Sequence, residues 1–96
     1  MMPSSHYIAL IHKDAASGYG VSFPDVPGVI AVADTLDEAI TEAGSALALA
    51  LEDWPGHWPA PRTLEALRGD PDFRADSSDA VIAAIRPASD FGQAAE

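Results

Sequence analysis

The first third of the chain alternates hydrophobic and polar positions with the two-residue period of β-strands. Residues 7–13, Tyr-Ile-Ala-Leu-Ile-His-Lys, carry apolar side chains on both faces, which predicts a mostly buried strand. Alternate positions of residues 19–23 form one apolar face, and residues 29–33 are a third apolar run. We therefore predict three short antiparallel strands that follow one another as a meander.

Glycine and proline mark the turns between these strands. The polar residues 14–18 end in a glycine and predict the first turn, so the first two strands should pair as a hairpin. Pro27 and Gly28 fit the central positions of a type II turn, because proline fixes the first φ angle and glycine tolerates the positive second one. The second strand should end before this turn, since proline lacks the amide that a strand ladder needs.

A helix is predicted directly after the third strand. Thr35 and Glu38 have the spacing of a capping box, in which each side chain bonds to the other residue's backbone amide. Pro55 and Gly56 should end the helix. An apolar stripe at steps of three and four residues predicts the face that packs on the sheet. Its members are Leu36, Ile40, Ala43, Leu47, Ala50 and Trp54.

The segment after the helix contains one further strand. Residues 57–62 form a proline-rich connector, residues 64–67 predict a single helical turn, and residues 69–79 are polar and turn-rich. Residues 81–86 are apolar and are followed by Pro87, which predicts a fourth strand that ends there.

These elements predict a single α+β domain with the order β-β-β-α-β. Its antiparallel meander packs on one long helix in two layers. The last strand pairs with the first strand or is swapped into a partner subunit. We assign residues 1–96 to this one domain, with a core over residues 7–86, a ragged lead-in over residues 1–5 and a tail over residues 87–96.

The charge of the chain limits the kinds of molecule that it can bind. Fifteen acidic residues oppose five Lys and Arg, and the formal net charge is −10. Nucleic-acid backbones should repel such a chain, so we expect no direct nucleic-acid binding, whereas a basic protein would be attracted to it. An acidic surface that only maintains solubility is the alternative. We see no signal peptide and no membrane-spanning run, and we expect a cytoplasmic protein.

The sequence contains little that points to catalysis. It has no cysteine, which excludes disulfides, thiolate zinc sites and cysteine nucleophiles. None of the three histidines, His6, His12 and His57, has a second potential ligand at the spacing of a zinc site. The sequence also contains no P-loop, G-x-S-x-G or dinucleotide-binding motif. We predict no catalytic residue, no cofactor and no metal. A small metal-dependent hydrolase that uses Asp25, Asp34 and His57 is kept as an alternative.

Two tryptophans close to the predicted helix end suggest a contact surface. Trp54 and Trp58 lie on either side of Pro55, and aromatic residues are frequent at the centres of protein interfaces. Such a pair equally often pins a helix end to the core, and both interpretations stay open. The residues that we predict to bind a partner are Asp25, Asp53, Trp54, His57 and Trp58.

Two motifs in combination resemble the HicB-like antitoxin family. They are Gly-Tyr-Gly-Val-Ser-Phe-Pro-Asp-Val-Pro-Gly at residues 18–28 and Asp-Thr-Leu-Asp-Glu-Ala at residues 34–39, and the resemblance extends over about residues 7–86. It implies a partial RNase-H-like fold without ribonuclease activity. It also implies a partner, a small basic HicA-type toxin that cleaves mRNA and whose active surface the antitoxin covers.

The resemblance leaves a second function open. An orphan family member with no toxin could associate with itself through an exposed strand edge as a dimer or tetramer. Family members often carry a DNA-binding domain after this one, and the chain ends about ten residues after the fourth predicted strand. We therefore do not expect it to bind an operator by itself.

Overall fold

The computed structural model describes residues 6–14 and 18–88. It contains a four-stranded antiparallel sheet with the strand order β3-β2-β1-β4. The predicted α+β fold with a meander and a long helix is confirmed, and the last strand pairs with the first strand of the same chain. The elements are β1 Tyr7–Asp14, β2 Gly18–Ser22, β3 Ile30–Ala33, α1 Leu36–Glu52, α2 Leu64–Arg68, α3 Pro71–Ser77 and β4 Val81–Ile85.

Three predictions concern segments that lie wholly or partly outside the described residues. They are the lead-in at residues 1–5, the middle of the first turn at residues 15–17, and the tail from residue 89 onward. Within the described part of the chain, none of the helices has the length and apolar character needed to cross a membrane.

The two faces of β1 pack against different layers, as its two-sided apolar pattern predicts. Tyr7, Ala9 and Ile11 are buried in the main core beneath α1. Leu10 belongs to a smaller cluster on the opposite face, which includes Leu67 of α2 and Phe73 of α3 with the half-buried side chains of Ile8, Leu64, Ala80 and Ile82. The sheet therefore lies between one long helix and a pair of short helices, and the connector after α1 joins the two sides.

The predicted buried stripe of α1 is only partly correct. Leu47 and Ala43 are fully buried, whereas Leu36 and Ile40 are 37% and 39% exposed. The buried face also includes Ala39, Gly44 and Leu51. Small side chains occupy this face because the chain that follows β4 approaches the helix backbone closely there. The Ala88 amide donates to the Gly44 carbonyl at 2.9 Å.

The loop predicted over residues 69–79 contains a helix, α3. The Asp70 carboxylate accepts from the Asp72 amide at 2.9 Å and caps this helix. Pro71 occupies the first helical position, where its missing amide proton costs nothing. Burial of Phe73 then anchors the helix to the sheet. One aromatic side chain and a good cap thus stabilise a segment whose other residues are mostly polar.

Candidate functional site

The turn between β2 and β3 is anchored in the core. Val26 is fully buried, and its amide donates to the Phe23 carbonyl at 3.2 Å. The Val29 amide donates to the Val26 carbonyl at 3.3 Å, and Gly28 has a φ of +96°. This geometry confirms the type II turn predicted from Pro27 and Gly28. It also fixes the position of Asp25, one of the predicted partner-binding residues.

Asp25 is tied to the connector by Arg62. Its carboxylate accepts from Arg62 Nε at 2.6 Å and from the Arg62 backbone amide at 2.7 Å, and the Asp25 side chain is only 7% exposed. Arg62 Nη1 also lies 3.3 Å from a carboxylate oxygen of Asp70. The hydrogen bond with Asp25 raises the pKa of Arg62 above its usual value. The hydrogen bond from the Asp72 amide, with a further contribution from Arg62, lowers the pKa of Asp70.

Tyr7 holds the same connector at a second point. Its hydroxyl donates to the Pro59 carbonyl at 2.7 Å. Burial, and then the negative charge of Asp25, raise the pKa of the Tyr7 hydroxyl. Tyr7 begins β1 and Asp25 follows β2, so their hydrogen bonds hold the connector against one end of the sheet. Asp25 therefore has a structural role, and its carboxylate faces Arg62 and is largely shielded from solvent.

The end of α1 presents a different set of predicted residues. Trp54 packs against the main core and its amide donates to the Leu51 carbonyl at 3.2 Å, so it pins the helix end. Asp53 occupies the position directly after the last residue of α1 and is exposed, His57 is exposed, and Trp58 is 51% exposed. Of the two interpretations of the tryptophans, the clasp fits Trp54, and Trp58 is available for contact. We call Asp53, His57 and Trp58 the helix-end patch.

Exposed acidic residues lie at both ends of α1. Asp37 and Glu38 lie in the first turn, where carboxylates stabilise a helix through its dipole. Glu52 and Asp53 lie at the opposite end, where the same dipole disfavours negative charge, and the last turn contains no basic residue. Helix stability thus explains the first pair of acids and does not explain the second.

The residues kept for a metal-dependent hydrolase do not form a cluster. Among residues 6–14 and 18–88, no group of three or more His, Asp or Glu side chains could hold a metal ion. Asp34 is exposed beside the helix cap, Asp25 is bound to Arg62, and His57 lies in the connector. His12 lies near the end of β1, and its Nε2 atom is 2.9 Å from the carbonyl oxygen of Asp76.

An open groove lies on the face of the sheet away from α1, between the start of β3 and α3. We call it the β3–α3 groove; its volume is about 360 Å³. Its lining is partly apolar, with Leu10, Phe23, Pro24, Pro27, Val29, Ile30 and Phe73, and partly charged, with Arg62, Asp70, Asp72 and Asp76. Sequence analysis missed this groove because its wall is α3. The Pro71 start and the Asp70 cap are the local signals that could have revealed that helix.

Comparison with known proteins gives a consistent picture. Residues 7–89 match the model of a family described as the HicB-like antitoxin of bacterial toxin-antitoxin systems. No curated protein matches the chain.

The similar solved structures include antitoxins. The crystal structure of the Burkholderia pseudomallei antitoxin HicB is 30% identical, with a TM-score of 0.69, over 97% of this chain and 67% of that one. The structure of the N-terminal domain of the same antitoxin is 28% identical, with a TM-score of 0.68, over 88% of this chain and 99% of that one. A chain of the HicA3 and HicB3 toxin-antitoxin complex has the same fold, at 21% identity and a TM-score of 0.64, over 84% of this chain and 95% of that one.

Proposed function

The chain belongs to the HicB-like antitoxin family of bacterial toxin-antitoxin systems, and from this premise we propose that it neutralises a small basic HicA-type toxin that cleaves mRNA. It does so by covering the active surface of the toxin, and it contributes no catalysis of its own. The family match supports this role, as does the fold shared with a chain of a HicA3 and HicB3 toxin-antitoxin complex.

The observation that carries the proposal is the large excess of negative over positive charge. The chain has a net charge of −10, and α1 exposes acids at both ends without a basic residue in its last turn. A protein that cleaves RNA needs a basic surface to hold the phosphate backbone. An acidic domain competes for that surface and is steered toward it by long-range attraction. Glu52 and Asp53, which the helix dipole disfavours, fit a role in binding rather than in folding.

We propose the helix-end patch as one contact region. Trp58 offers a large exposed aromatic surface, and Asp53 at the end of α1 supplies an exposed negative charge. Asp25 and Trp54 contribute indirectly, because they fix the connector and the helix end that present the patch.

A reconstituted inhibition assay tests this function. The purified chain is mixed with a purified HicA-type toxin, and cleavage of a model mRNA is followed on a gel. Cleavage should stop near an equimolar ratio, and the affinity of the complex should fall as salt rises, because the attraction is electrostatic. Full cleavage at a large excess of the chain, with no complex on size exclusion, would contradict the proposal. The chain alone should leave the mRNA intact in magnesium or manganese.

Self-association without a toxin is a second candidate, favoured by the edge strand β3. Ile30 and Val32 are each 67% exposed there, and among the described residues β3 pairs only with β2. Unpaired strand edges invite pairing with another copy. Light scattering at increasing concentration tests this candidate, since a mass that remains that of one chain would exclude it.

A further inference from the structure

The face of the sheet opposite α1 is only half covered. Strand register places Ile82, Leu10, Ser22 and Ile30 in one row across this face, one residue from each strand. Helices α2 and α3 cover the β4 and β1 end of the row, where Leu10 is buried. The row is open at its β3 end, where Ile30 is 67% exposed.

The exposed apolar side chains of β3 favour association of this domain with another molecule over the isolated domain. Val32 lies in the next row with Gly20 and His12 and is exposed to the same extent as Ile30. Two adjacent β-branched side chains in water on an edge strand promote association, which soluble chains usually prevent with charges or a covering loop. The β3–α3 groove, which is lined by Ile30 and Phe73, is large enough to take an apolar side chain from another molecule.

The charges around the β3–α3 groove select the kind of occupant. Its lining contains three carboxylates and a single base, Arg62. Arg62 is already engaged by Asp25 and Asp70. Within the described part of the chain, Asp72 and Asp76 have no cationic partner for their carboxylates. The free charge at the rim is therefore negative. A second copy of this chain would bring further negative charge to the rim, whereas a basic protein would neutralise it.

We propose that the β3–α3 groove is a second docking site for the toxin, separate from the helix-end patch. It takes a segment in which an apolar side chain is flanked by Lys or Arg. The apolar side chain packs against Ile30 and Phe73, and the cations pair with Asp72 and Asp76. This inference rests on the proposed function, because it takes the occupant to be the same basic toxin.

Chemical-shift mapping tests the inference without any variant. The same unlabelled HicA-type toxin is added to the ¹⁵N-labelled chain, and the backbone amides that shift are assigned. Shifts around Ile30 and along α3 support the groove. Shifts confined to the helix-end patch overturn the groove and leave the proposed function standing. If no amide shifts at any toxin concentration, the proposed function fails as well.

A matched pair of double variants gives an independent measurement. Asp72→Asn with Asp76→Asn removes two charges from the groove, and Glu42→Gln with Glu65→Gln removes two exposed charges outside both docking regions. The first pair should weaken the Kd for the toxin about tenfold or more, and the second should change it less than about threefold. Ile30→Thr should also weaken binding, whereas Val81→Thr, which changes an exposed β-branched residue on the opposite edge, should not. Equal effects of groove and control variants, with thermal melts unchanged, would overturn the groove.

Discussion

Gly18 is the position at which one methyl group should do most damage to this domain. It begins β2 with a φ of +97°, a region that side chains rarely adopt. A Cβ added there would lie 2.5 Å from the Ala33 carbonyl oxygen and 3.2 Å from the Asp34 Cα. Both are backbone atoms at the end of β3, so no side-chain rotation can relieve the contact. Gly18→Ala must therefore displace β3 or distort the start of β2.

Two other glycines separate the contributions to this cost. Gly28 has a φ of +96° but open space around it, so Gly28→Ala measures the backbone strain alone, about 1–2 kcal/mol. Gly20 has no positive φ, and its added Cβ would meet Val32 Cγ1 at an ordinary 3.9 Å, so Gly20→Ala should change stability by less than about 1 kcal/mol. Gly18→Ala combines the strain with overpacking that typically costs about 1–3 kcal/mol, which predicts a total of about 2–5 kcal/mol.

Urea unfolding followed by circular dichroism measures all three variants. The predicted loss for Gly18→Ala is a large share of a typical domain's stability of about 5–15 kcal/mol, so its midpoint should fall well below that of Gly28→Ala. If Gly18→Ala and Gly28→Ala unfold at the same midpoint, the close approach of β2 to β3 does not constrain this residue, and the reasoning is refuted.

Three further outcomes are expected from the contacts described above. Leu47→Ala should lower the free energy of unfolding by about 2–5 kcal/mol in urea titrations, because Leu47 is fully buried beneath the sheet; a loss below that range would show that the core closes around the gap. Thr35→Ala removes the acceptor of the Glu38 amide and should cost about 1 kcal/mol, seen as a lower melting temperature, and an unchanged melt would exclude this cap as a source of stability. Because folding raises the pKa of Tyr7, its neutral hydroxyl contributes stability that is fully present below pH 10.0 and is lost as the pH rises through the raised pKa. Above pH 10 the wild type should therefore lose stability more steeply than Tyr7→Phe. Parallel curves in melts from pH 8 to 12 would contradict that assignment.

Features set by neighbouring residues could be predicted from the sequence. The alternation in β1 gave both of its faces correctly, because a strand side chain's face depends only on its position. The turn at Pro27 and Gly28 and the cap at Thr35 also follow from local backbone preferences.

Features set by distant residues could not be predicted. Leu36 and Ile40 fitted the apolar stripe predicted for α1, but both are partly exposed. The face of α1 that packs on the sheet depends instead on the close approach of Gly44 to the chain after β4. Asp25 was predicted to bind a partner because nothing in the sequence pairs it with Arg62. The groove depends on α3, whose polar composition concealed a helix held by one buried aromatic side chain. The helix-end patch was predicted because its residues are neighbours in sequence, and its role in binding stays a prediction.

The position of β1 in the sheet has a consequence for synthesis in the cell. Its two neighbours are β2, which follows at once, and β4, which is the last of the four described strands along the chain, with Ile11 opposite Val81 and Tyr7 opposite Ile85. A nascent chain on the ribosome therefore keeps one side of its first strand unpaired until β4 has been synthesised. Pairing across so long a loop is slow to nucleate, so an interrupted message would yield a fragment open to proteases.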